Sequence, residues 1–115
     1  MKTECSKRLD EITKGFRDCQ DAISAIGDPT RQIILFALLE SDLSGIRVGE
    51  IAAKSHLTRP SVSHHLKILK EAGIVNVRAE GTKNFYYIST NDTKWKEMVD
   101  LMNLVYTGIQ SMSVN

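Results

Sequence analysis

The chain has 115 residues, 42% hydrophobic and 25% charged with two prolines, a balance that excludes a disordered or fibrous protein and suits one compact domain over residues 1–115. Its longest apolar run, residues 33–39, is far short of the roughly 20 residues of a membrane span, and no charged-then-apolar leader opens the chain, so a cytoplasmic protein is expected. The net charge of +1 does not exclude nucleic acid, because it is unevenly spread: residues 1–46 carry six basic and eight acidic side chains, residues 47–85 seven and three, and residues 86–115 two and three.

From Cys5 onward, apolar residues recur at Leu9, Ile12, Phe16, Cys19, Ile23 and Ile26, with spacings that alternate four and three. That pattern predicts one helix over about 4–26 with a coiled-coil-type seam. Gly27 ends it, and Asp28 with Pro29 supplies the N-cap and first-turn proline of a second helix. This second helix is apolar on most of its circumference, which predicts a path through the middle of the core. A short helix over about 47–54 follows, then a tight turn at 55–57 and a helix capped by Thr58 and closed by Gly73, with Pro60 tolerated in its first turn. Together they form a helix-turn-helix over about 47–72. Two runs rich in Val, Ile, Phe and Tyr, 74–79 and 84–89, flank the turn residues Glu80, Gly81, Thr82 and Lys83 and predict a β-hairpin wing over about 74–89.

The last segment, capped by Asn91 or Asp92, places Trp95, Met98, Met102, Val105, Ile109 and Met112 on a second seam, a helix over about 92–112. The fold class is therefore α+β, mainly α: a winged helix-turn-helix with long N- and C-terminal dimerisation helices and a two-stranded β-hairpin wing. Two long apolar stripes exceed what a domain this small covers alone, so a homodimer is expected; the alternative is that they close the core of one chain.

At 100° per residue, Val62, Leu66 and Leu69 share a narrow arc and must face the core. His64 then points nearly opposite, with Lys67 on its side and Arg59, Ser61 and Ser63 near the flanks or in the first turn. His65 falls on the border of the packed face, where it can hydrogen-bond locally. Hydroxyls, an imidazole, an arginine and a lysine on one exposed face donate hydrogen bonds to base edges and phosphates when a helix enters the major groove of double-stranded DNA. Arg78 and Lys83 on the wing are expected to reach the adjacent backbone or minor groove; Lys54 and Lys70 are weaker candidates. Ser63 and His64, consecutive on a helix, diverge and cannot form a nucleophile–base pair, and no phosphate loop or paired-carboxylate motif is present, so no enzyme is expected. A winged-helix module for protein association is the alternative, though its exposed helix would show large apolar anchors.

The residues AIGDPTRQIIL (25–35), VGEIAAKSHLTRPSVSHHLKILKEAGIV (48–75) and VRAEGTKNFYYI (77–88) make the chain resemble the ArsR/SmtB family of bacterial winged-helix repressors over most of its length. The resemblance implies a homodimeric, operator-binding repressor whose first and last helices form the dimer interface. It places DNA contacts at Arg59, Ser63 and His64, with Ser61 and Lys67 joining them.

Many members of that family release DNA on binding metal, through a Cys-x-Cys pair on the first helix of the helix-turn-helix or through Asp and His ligands on the terminal helix. Here the first position holds Arg47, Val48, Gly49 and Glu50, and the terminal helix has Asp92 and Asp100 but no histidine. No metal or other cofactor is therefore expected. Cys5 and Cys19 are the remaining candidates for a sensor. Fourteen positions apart on one helix they would lie about 21 Å apart, beyond disulfide reach, so a thiol-directed signal would act between subunits. The alternative is that both are small apolar seam residues.

Overall fold

The computed structural model describes residues 3–112. Six helices and one hairpin follow in the order α1 (Glu4–Asp18), α2 (Gln20–Ile26), α3 (Pro29–Leu39), α4 (Val48–Ser55), α5 (Arg59–Glu71), β1 (Asn76–Glu80), β2 (Lys83–Tyr87) and α6 (Trp95–Met112). Thr3, Asp28 and Thr58 cap α1, α3 and α5 through side-chain oxygens that accept from Ser6, Arg31 and Ser61 N–H groups. Gly73, at φ 78°, ends α5 in a Schellman turn: its N–H donates to Lys70 O, and Ile74 N–H reaches back to Leu69 O at 2.9 Å.

Three expectations need correction. The helix expected over 4–26 breaks at Cys19, whose backbone leaves helical geometry (φ −102°, ψ 7°) so that Cys19, Ala22 and Ala25 turn into the core. The last helix begins at Trp95 rather than near 92. Asp92 sits in the left-handed region and Thr93 Oγ1 donates to Ser89 O, so a local turn holds that stretch out of the helix. The third correction concerns α3, which does not run through the middle of the core. Ile34, Leu35, Ala37 and Leu38 are buried, but Ile33, Phe36 and Leu39 face outward.

The core gathers between α2, α3, α4 and α5, with Ile34, Ile51, Val62, Leu66, Leu69 and Ile74 fully enclosed. Burying each such side chain stabilises the fold by about 1.5–3 kcal/mol. β1 and β2 pair antiparallel from Asn76↔Tyr87 to Glu80↔Lys83, and Ile46 adds a further bridge to Tyr86 through bonds of 3.0 and 2.8 Å. That bridge fastens the wing to the loop before α4.

The base of the hairpin is fastened as well. Asn76 Oδ1 accepts from Ser89 N–H and Oγ–H, and its amide donates to Asn91 O at 3.1 Å. Trp95 Nε1–H donates to Ile74 O. α1 has no buried residue of its own and lies along α6, where Gly15 and Gly108 permit close approach: a Cβ at Gly15 would stand 2.7 Å from Leu101. No single helix among the described residues is long and apolar enough to cross a membrane.

Candidate nucleic-acid interface

The exposed face of α5 follows from what holds its other face. Val62, Leu66 and Leu69 are buried, which turns Arg59, Ser63, His64 and Lys67 outward and leaves Ser61 and His65 half-buried on the flanks. Thr58 caps the helix through its Oγ1, which accepts from Ser61 N–H, and Pro60 lies in its first turn, so the amino end of α5 is fixed. The turn before it is held by His56 in the left-handed conformation, a geometry in which histidine is enriched.

Between this end of α5 and the wing lies an open groove of about 770 Å³, lined by Arg47, Gly49, Arg59 and Ser63 on the helical side and by Thr82 and Asn84 on the hairpin. The Arg59 guanidinium rests on α4 at Gly49: a Cβ there would meet Arg59 Nη2 at 3.0 Å and Cζ at 3.3 Å. Gly49 thus sets where the arginine lies, through a contact that cannot be read from the chain order.

The groove unites Arg59 and Ser63 from the predicted set and adds Arg47, Thr82 and Asn84, which sequence reasoning missed. Arg47 counted toward the basic middle of the chain. Its nearness to the wing, however, depends on the Ile46–Tyr86 bridge, which joins segments forty residues apart.

The two basic wing residues differ. Lys83 is exposed beside the hairpin tip. Arg78 is occupied: one Nη donates to Ser44 O at 3.0 Å, the other pairs with Glu80, and the guanidinium carbon lies 4.6 Å over the Phe85 ring. Such a stack combined with a carbonyl bond holds the side chain along the hairpin. Lys54 and Lys70 are exposed.

The thiols also part company. Cys5 is exposed at the mouth of an apolar groove of about 590 Å³ between α1 and α6, beside Leu9, Ile109 and Met112. Cys19 is buried, and that burial pushes its thiol above the ordinary thiol range. Among the described residues, no group of three His, Cys, Asp or Glu side chains is placed to hold a metal ion.

The family model "Bacterial regulatory protein, arsR family" matches residues 28–77. An uncharacterized HTH-type transcriptional regulator of Methanocaldococcus jannaschii is 42% identical over 88 residues, covering 76% of this chain and 94% of that protein. The transcriptional repressor SdpR of Bacillus subtilis is 35% identical over 89 residues, covering 76% and 93%. The transcriptional activator HlyU of Vibrio cholerae is 33% identical over 98 residues, covering 85% and 86%. The structure of reduced HlyU superposes with a TM-score of 0.61 at 29% identity, over 84% of this chain and 96% of that one.

Proposed function

The chain belongs to the arsR family of bacterial regulatory proteins, DNA-binding transcriptional regulators, and from that premise we propose that it works as a homodimeric repressor of an inverted-repeat operator. Each subunit lays α5 in the major groove, the two half-sites being about 34 Å apart. The observation that carries this reading is the outward face of α5: Ser63, His64 and Lys67 are exposed on a helix whose opposite face is locked by Val62, Leu66 and Leu69.

Arg59, Ser61, Ser63, His64 and Lys67 read bases and phosphates, and Lys83 meets the backbone beside the half-site. Arg78, tied to Ser44, Glu80 and Phe85, stiffens the wing that carries Lys83. Dimerisation uses the stripe on α1 and α6, where Leu9, Tyr106 and Met112 are 62%, 64% and 75% exposed. Apolar side chains that open in register are what a two-fold partner covers.

The relatives carry both senses of regulation in their names, a repressor in Bacillus subtilis and an activator in Vibrio cholerae. Repression follows where the operator overlaps the chain's own promoter. The releasing signal is assigned to thiol chemistry that enters at the exposed Cys5 and works across the two-fold axis, with Cys19 a packed partner at the α1–α2 break. Replacing each cysteine by serine and measuring operator affinity in reducing and oxidising buffer tests that assignment; an unchanged response in Cys5→Ser overturns it.

The main reading is tested by titrating labelled duplexes from the upstream region with the full chain at several salt concentrations. Preference for an inverted repeat over shuffled sequence, with affinity falling steeply as salt rises, is expected. Equal binding to both duplexes would sink it.

A further inference from the structure

Arg31 stands at the start of α3, outside the groove, yet it makes three contacts in three directions. Its N–H donates to Asp28 Oδ1 at 3.0 Å, its Nε–H to Ala25 O at 2.8 Å, and its Nη1 lies 3.4 Å from His65 Nδ1 on α5. The Nε–H bond to Ala25 O holds the side chain in place, so the Nη1 contact is offered from a fixed point.

A guanidinium has five donors and no acceptor, and it stays charged in proteins. Only one arrangement satisfies the contact: His65 Nδ1 accepts, carries no proton, and the ring is the neutral tautomer with its proton on Nε2. At 3.4 Å the bond is longer than the usual 2.9–3.0 Å, so its contribution is direction more than energy. The His65 ring in turn meets the His64 ring edge to face, with centroids 5.3 Å apart. The line of contact therefore runs from the end of α2, through Arg31 and His65, to the imidazole exposed on the outer face of α5.

We infer that Arg31 and His65 form a positioning pair that fixes the rotation of α5 and the pose of His64, with His65 held as the Nε2–H tautomer. Neither residue touches DNA in this scheme; both act through His64, and the inference rests on the reading of α5 as the DNA-contacting helix. It explains why two histidines stand side by side: one is presented and the other steers it. Asp28, which caps α3 through the Arg31 N–H, keeps the arginine at its post. Asp21 and Glu71 line the next cleft along the α2–α5 seam, and the Asp28 carboxyl is itself within electrostatic reach of His65.

Two measurements on the full chain test the pair. Nitrogen-15 correlation spectra of the protein without DNA report which ring nitrogen of His65 is protonated. A bare Nδ1 with a protonated Nε2 is expected, and an Nδ1–H tautomer or rapid averaging of the two overturns the inference.

The second measurement compares His65→Asn, which sets a carbonyl oxygen where Nδ1 stands, with His65→Leu, which fills the space without an acceptor. Loss of operator-over-shuffled preference by about tenfold in His65→Leu, and retention within about threefold in His65→Asn, is expected. Arg31→Met should match His65→Leu, and the double variant should be no worse than either single one. Equal losses in Asn and Leu variants, or losses that multiply in the double variant, overturn the inference. A wild-type chain with no operator preference would refute the DNA reading instead, and the tautomer would still be read from the free protein.

Discussion

The helix-turn-helix with its wing and the α1–α6 pair use similar amounts of apolar sequence in opposite ways. In the first region apolar side chains meet inside one chain: Ile51, Val62, Leu66, Leu69 and Ile74 are closed off from solvent. In the second, α1 buries none of its residues and α6 buries only Met98, Leu101 and Gly108, with Leu9, Met102, Tyr106 and Ile109 left at the surface. One region closes its apolar side chains within a single chain; the other leaves a stripe at the surface, which in the proposed dimer is the half that a partner completes. On the proposed function, stability and recognition geometry fall to one part and assembly to the other, so substitutions should separate them.

The largest effect should come from the incomplete half. Ile109→Glu places a charge in the exposed stripe and is expected to lower the mass in sedimentation from twice the chain mass of 12.9 kDa to that value. Operator affinity should fall by about 10²–10⁴-fold as the two half-sites are no longer joined, with the melting of the helix-turn-helix core retained. If the mass and affinity stay as they were, the stripe is not the interface.

In the complete half, Leu66→Ala opens a cavity beneath α5 and should cost about 2–5 kcal/mol in denaturant unfolding without changing the oligomeric mass of the folded fraction. Smaller still, His64→Ala should cost about 1–3 kcal/mol of discrimination between operator and shuffled duplex, whereas Lys83→Ala should weaken both duplexes alike and reduce the salt slope by about 1.

The smallest effect lies at the α3 cap. The hydrogen bond from Arg31 N–H, opposed in part by desolvation, holds the Asp28 carboxyl below its usual range. A carboxyl depressed on folding adds stability above the unfolded value and loses it as pH falls through the folded one. Asp28→Asn should therefore melt slightly below wild type at neutral pH and converge with it as pH falls below about 4, read from melting temperatures.

Local chemistry made much of this fold readable. Thr58 and Asp28 cap because a short oxygen before an apolar run satisfies free N–H groups, and Gly73 stops α5 because it tolerates positive φ. The outward turn of His64 followed from three apolar residues on the opposite arc. The break at Cys19 was hidden because the four-three spacing runs unbroken through it, and it is packing of Cys19 and Ala22 that imposes it. The outward face of α3 was hidden for the converse reason: apolar letters on all sides do not say which side meets the core. Arg78 looked available because its partner carbonyl, Ser44, is 34 residues away.

The clasp at Asn76 bears on movement. A five-residue strand at about 3.3 Å per residue makes the hairpin an arm roughly 17 Å long. Its fulcrum is tied to Ser89 and Asn91, the stretch that leads into α6. On such an arm a tilt of about 3–4° at the fulcrum sweeps Gly81 and Thr82 through about 1 Å. In the proposed dimer, a strain passed from α6 through Ser89 and Asn91 would therefore act at the base of the wing, against the Ile46–Tyr86 bridge and the Arg78–Ser44 bond that brace the hairpin.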